Sequence, residues 1–236
     1  QHGRIKHQKI SFTKEQFTSE SGEKNTVLKK LNSIEYGSSA AIYDTLYDTQ
    51  QVVKEFYEEF EGLRTNLVQE VSEIPDDRGD AKQRYVQVIL DRMIFLYFIQ
   101  EKRLLDRNPN YLHEQPSDVV DEGEDRYENF YRPLFFDYLA EDKQNPDFGS
   151  LPYLNGGLFA KNPVEEEFSD AKLGASAEET NKLFDDILDF LSGWNWNVDE
   201  RLDIVDPKNL SPAILGHIFE QTVNQKEMGA YYTPEE

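Results

Sequence analysis

The sequence predicts a mainly α-helical protein: an irregular multi-helix domain of about six helices, with long loops and little strand. Three observations predict it. Val52, Phe56, Phe60, Leu63, Leu67 and Val71 recur at steps of three or four, the period of one helix face. Asp80 to Leu105 is apolar almost all the way round, as a helix buried in the middle of a domain would be. The alternation expected of strands is confined to the short WNWN segment at 194–197.

Residues 1–35 are polar and mixed, with Ile10, Phe12 and Phe17 irregularly spaced, and they read as a linker or N-terminal extension. Val27, Leu28, Leu31 and Ile34 suggest a short helix within it. A helical domain is expected over residues 36–224, and 225–236 read as the start of a separate element. The first long helix is capped by Asp48 or Thr49 and runs to about residue 72; Glu55, Glu58, Glu59 and Glu61 form its wet face rather than a metal site. EIPDDRG at 73–79 is a turn. In the core helix that follows, Val86, Ile89, Met93, Leu96 and Leu104 lie on or near one side, and Phe95 to Ile99 widen the stripe. Burying Met93 to Ile99 would contribute on the order of 10–20 kcal/mol before entropy is counted.

Residues 106–126, with Pro109, Pro116 and an acidic run, read as loop and then the start of a helix; His113 is a loop residue with no second metal ligand nearby. Tyr127 to Ala140 is helical, and Pro133 should kink it or mark its start. Residues 144–176 are irregular. Within them LPYLNGGLF (Leu151 to Phe159) has Gly156 and Gly157 for a positive-φ turn, either a loop near a ligand or a corner pinned by Tyr153, Leu158 and Phe159. Glu178 to Ser192 is amphipathic, with Leu183, Phe184, Ile187, Leu188 and Leu191 inward. Trp194 and Trp196 form a brief strand or turn on the core; their acidic surroundings oppose base stacking. Ser211 and Pro212 open a last helix whose apolar face is Leu215, Ile218, Phe219 and Thr222, with Gly216 facing into it to admit another backbone.

The net charge of −21 is unevenly spread. Residues 1–35 carry seven basic and four acidic side chains, and the remainder 18 basic and 42 acidic. Such a surface repels nucleic acid. Either it faces away from DNA or it keeps the protein hydrated in high salt. No cysteine is present, which excludes disulfides and thiolate zinc sites and fits a cytoplasmic protein. No apolar run approaches the roughly 18 residues of a membrane span, and no signal peptide is visible.

Three motifs carry a resemblance. LGHIFEQTVNQKEMGAYYTP (215–234) is similar to a family pattern Leu-Gly-x-Ile-Tyr-Glu, a spacer, then Lys-x-x-Gly-x-Tyr-Tyr-Thr-Pro; Phe219 replaces the usual Tyr. ILDRMIFLYFIQEKRLL (89–105) is similar to Arg…Phe-Leu-x-Phe-Leu-Gln-Glu-Lys-x-Leu-Leu, and LPYLNGGLF matches in kind and order. The chain thus resembles the helical region preceding the catalytic domain of adenine-specific DNA methyltransferases, of fused type II restriction-modification or bacteriophage-exclusion type. The resemblance implies S-adenosylmethionine as cofactor, with Tyr231, Tyr232, Thr233 and Pro234 lining the methyl donor and DNA contacted mainly by other domains. It also implies a possible upstream nuclease, though no convincing Asp…Glu-x-Lys constellation is seen; Asp80 and Lys82 beside Asp76 match at chance level. It gives Gln100, Glu101 and Lys102 structural duties only. The family's Gly-rich donor loop and Asn-Pro-Pro-Tyr have no counterpart in these residues, so no catalytic residue is assigned and this stretch alone is expected to be inactive. The alternative is a non-enzymatic acidic helical scaffold for protein partners in a defence complex; an acidic DNA mimic is a further rival.

Overall fold

A computed structural model of the chain describes residues 49–154, 157–196, 209–210, 214–216 and 218. It is mainly helical, as the periodicity predicts, with four two-residue strands among the described residues. Its contacts group into two units. One joins the described residues up to Glu58 to those from Trp194 to Ile218, and the other holds Glu59–Gly193.

Helix α1, Thr49–Gln69, contributes to both units. Its predicted stripe is buried at Val52, Phe56, Phe60 and Leu67. Arg64 reaches back one turn to Glu61 at 2.7 Å on the wet face. It stops short of residue 72, because Val71–Ser72 (β1) leaves the helix to pair antiparallel with Lys172–Leu173 (β2).

In the first unit, the Phe56 ring meets Trp194 edge-on at 5.2 Å, and the Tyr57 hydroxyl donates to the Ile218 carbonyl at 3.3 Å. Asn195–Trp196 (β3) pairs in parallel with Asn209–Leu210 (β4), so the WNWN segment is a brief strand. Trp194 and Trp196 are buried. Residues 214–216 and 218 are helical, with Ile214, Leu215 and Ile218 buried. Gly216 is exposed, and nothing described lies within 4 Å of where its Cβ would be.

The second unit is built around α2, Gly79–Glu101, which is buried on nearly every side from Tyr85 to Met93. It ends before Leu104, which the apolar pattern placed on the core side but which is 53% exposed. The region 106–126, expected to be loop and then the start of a helix, contains α3, Tyr111–Val119, within the part read as loop. Two observations explain the miss. Pro116 lies inside the helix, where its ring ordinarily argues against one. The start is also set by a tertiary bond, the Leu112 amide donating to the Gln100 side chain at 2.7 Å. His113 lies on this helix, edge-on to Tyr97.

Pro133 stands at the start of the second of two π-helical stretches. The segment widens into π-helical stretches, Tyr127–Tyr131 and Leu134–Leu139, with Arg132 and Pro133 helical between them. The Arg132 amide bonds the Tyr127 carbonyl and that of Ala140 the Phe135 carbonyl, both five residues back. Tyr131 stacks on Phe184 at 4.2 Å and Phe130 on Phe148 at 5.3 Å. Phe184 belongs to α5, Ala177–Ser192, which Ser176 caps by accepting from the Glu179 amide. Predicted inward residues Phe184, Ile187, Leu188 and Leu191 are buried, and Leu183 half-buried.

Candidate functional site: an anchored loop on the core helix

The feature with most chemistry lies in the second unit, where the LPYLNGGLF segment meets α2. Arg92 sits in the middle of this apolar helix and is wholly buried. A lone guanidinium there would be prohibitive, and four directed bonds offset the cost. Its Nη1 donates to Glu165 Oε1 at 2.6 Å and its Nη2 to Oε2 at 2.8 Å, a bidentate fork. Its Nε donates to the Leu158 carbonyl at 2.8 Å, and Nη2 also to the Ala160 carbonyl at 2.9 Å. The Phe135 and Phe136 rings lie 5.2 and 5.0 Å from the guanidinium carbon.

Glu165 is placed by its own short helix α4, Pro163–Glu167. Asn162 caps it by accepting from the Val164 amide at 3.0 Å, and Glu165 reaches back to the Asn162 amide at 2.8 Å. This is a capping box with Pro at the first helical position. The box fixes the rotamer that lets the same carboxylate meet Arg92.

The loop is held at further points. Phe159 is buried between Phe95 and Phe135, at 5.9 and 6.0 Å. The Leu154 amide donates to the Leu139 carbonyl at 2.9 Å. Gly157 has φ 48°, the positive value the sequence calls for. Tyr153, expected to pin the corner, is instead 51% exposed. Two of the three resemblance motifs are therefore in direct bonded contact, through Arg92 on one and Leu158 on the other. Sequence reasoning gave Arg92 and Glu165 no role. The signals were present: an arginine at a core position of an apolar helix, and an Asn-Pro-x-Glu capping signature.

The remaining predicted site residues, Tyr231, Tyr232, Thr233 and Pro234, lie outside the described residues. Of Asp80 and Lys82, weighed as nuclease residues beside Asp76, Lys82 pairs with Asp76 at 2.6 Å and Asp80 lies 3.9 Å from Arg78. Lys82 holds the Asp76 carboxyl below its usual range. Among the described residues no group of three or more His, Asp or Glu is placed to hold a metal, and no helix is long and apolar enough to cross a membrane. The arrangement around Arg92 has no nucleophile or acid–base pair. What it can do is set the path of an exposed loop from within the core.

A protein of Methanocaldococcus jannaschii named "Putative type II restriction enzyme and methyltransferase" is similar to this chain, 26% identical over 211 residues. The match covers 82% of this chain and 17% of that protein, so the chain spans only a small part of its relative's length. No family model matches the chain, and no solved structure matches it.

Proposed function

We propose that this chain is part of a site-specific DNA adenine-N6 methyltransferase of a restriction-modification or phage-defence system, and supplies its helical support region. The observation that carries the reading is the similarity over 82% of the chain to a protein named as a restriction enzyme and methyltransferase. The bonded contact between the 89–105 and 151–159 motifs supports it, since both resemble segments of such enzymes. S-adenosylmethionine, when bound, supplies the methyl group. Tyr232, Thr233 and Pro234 form one wall of its site, with Tyr231 beside them. Tyrosine rings give flat amphipathic surface for a heterocycle, and the threonine hydroxyl can bond a carboxylate. Arg92, paired with Glu165, also bonds the carbonyls of Leu158 and Ala160 from within the core, as a support for a binding surface should. The acidic surface leaves most DNA contact to other domains.

The test is calorimetric titration of S-adenosylmethionine into the full-length protein and its Tyr232→Ala variant. The reading expects weaker donor binding by the variant with unchanged thermal unfolding. Equal affinity would remove the Tyr-Thr-Pro wall from the account.

A further inference from the structure

The loop after α2 holds three left-handed residues, none of them glycine: Arg103 at φ 58°, Asp106 at 47° and Arg107 at 55°. Two local motifs require these angles. The Arg103 amide bonds the Gln100 carbonyl at 2.7 Å and the Leu104 amide the Ile99 carbonyl at 2.9 Å. This is the paired closure of a helix end, in which the position Arg103 occupies is usually glycine. The Asn108 amide then bonds the Leu105 carbonyl at 2.9 Å, closing a turn with Asp106 and Arg107 at its centre. Turns with both central residues at positive φ favour Asn-Gly. Folding alone would therefore favour glycine at 103 and 107, and the chain carries arginine at both.

The loop is also held rigidly. Asp106 exchanges two bonds with Ser150, amide to carbonyl at 2.8 Å and carboxylate from amide at 2.9 Å. Gly149 packs so close that a Cβ there would come within 2.6 Å of Asp106 Cγ. Arg103, Leu104 and Arg107 are left exposed. Neither arginine forms an ion pair within 4 Å among the described residues, which the exposed Arg84 shares, whereas Arg64, Arg78, Arg126 and Arg132 all form one. Lys102 adds a third cation, with its Nζ over the Phe98 ring. Of the carboxylates near this loop, Glu101 is half-buried beside Arg103, Asp106 is bound to the Ser150 amide, and Glu114 accepts from the Asn108 and Asn110 side chains. On a chain of net −21, this is a rigid segment that presents guanidinium groups at a cost in backbone conformation.

We infer that Arg103 and Arg107 contact backbone phosphates of duplex DNA, an assignment that rests on the function proposed above. Planar guanidinium forks suit phosphate oxygens, and such contacts position DNA without reading its sequence.

The test uses the full-length protein with Arg103→Gly and Arg107→Gly together, and with both changed to Lys. The Gly pair should unfold at the same or higher temperature than wild type. It should bind duplexes of different sequence more weakly by the same factor. The slope of log affinity against log salt should become shallower by about 2, from roughly 0.9 for each phosphate that is no longer neutralised. The Lys pair should keep most of the slope. A Gly pair with wild-type affinity and slope overturns the inference. Should its unfolding temperature fall as well, the Lys pair decides: retained binding supports the assignment and abolished binding overturns it. Unchanged slope in a protein that methylates DNA sinks this inference alone, whereas a wild-type protein that neither binds the donor nor methylates DNA sinks the reading beneath it too.

Discussion

Arg92 and Glu165, 73 residues apart in sequence, meet in a bidentate pair at 2.6 and 2.8 Å, with the arginine wholly buried. The carboxylate also caps its own helix through Asn162, and the guanidinium also holds the carbonyls of Leu158 and Ala160. One pair thus joins the core helix, a short helix and the loop between them.

Removing one partner leaves the other charged and buried. Arg92→Met or Glu165→Leu should each cost about 3–5 kcal/mol, and the double substitution less than the two singles summed. Urea unfolding of the four proteins in a cycle measures the coupling. Additive losses would mean the pair does not act as a unit.

Burial pushes the Tyr127 hydroxyl up to about 12, and it also raises those of Tyr85, Tyr111 and Tyr131. A raised folded value means the folded state holds its proton after the unfolded chain has lost it. The associated stability is intact below about pH 10, the unfolded value for tyrosine, and is lost as pH climbs through about 12. Tyr127→Phe keeps the ring stacked on Phe184 and removes one ionisation. It should flatten the fall in stability between pH 10 and 12 by up to about 1.4 kcal/mol per pH unit. Denaturant midpoints across that range provide the check, and parallel curves would count against the burial.

Two glycines at positive φ differ in what surrounds them. A Cβ at Gly174 would meet the Thr180 amide nitrogen at 2.7 Å, backbone that cannot swing aside, whereas Gly123 has nothing described within 4 Å. Gly123→Ala should cost about 1 kcal/mol, and Gly174→Ala more than about 2 kcal/mol. Thermal unfolding of both variants ranks them, and equal losses would contradict the packing of α5 onto β2.

Both tryptophans of the chain are buried in the first unit. Their emission should be blue-shifted, poorly quenched by acrylamide and insensitive to single-stranded DNA. Strong quenching by an oligonucleotide would restore the base-stacking role that their burial argues against.

The fold was legible where one pattern dominated. The stripe of α1, the all-round apolarity of α2 and the amphipathic face of α5 each predict their helix, because burial follows periodicity. Elements set by tertiary bonds were not legible. Helix α3 depends on Gln100 accepting from Leu112, and the pairing of Val71 with Leu173 spans a hundred residues. Tyr153 lies outside the core because Phe159 and the Arg92 bonds fix the corner without it. At the anchored loop the sequence located the segment and its positive-φ glycine but not the arginine that holds it, since one charge in an apolar run gives no sign of its partner. The Tyr231–Pro234 element lies outside the described residues and stands on the motif alone.

Methyl transfer itself tests the account most directly. The full-length protein would be incubated with unmethylated duplex DNA and methyl-labelled S-adenosylmethionine, and the DNA digested to nucleosides for mass spectrometry. The account predicts label in N6-methyladenine at a defined site. Label in cytosine, or none under conditions where the protein binds both donor and DNA, would contradict it.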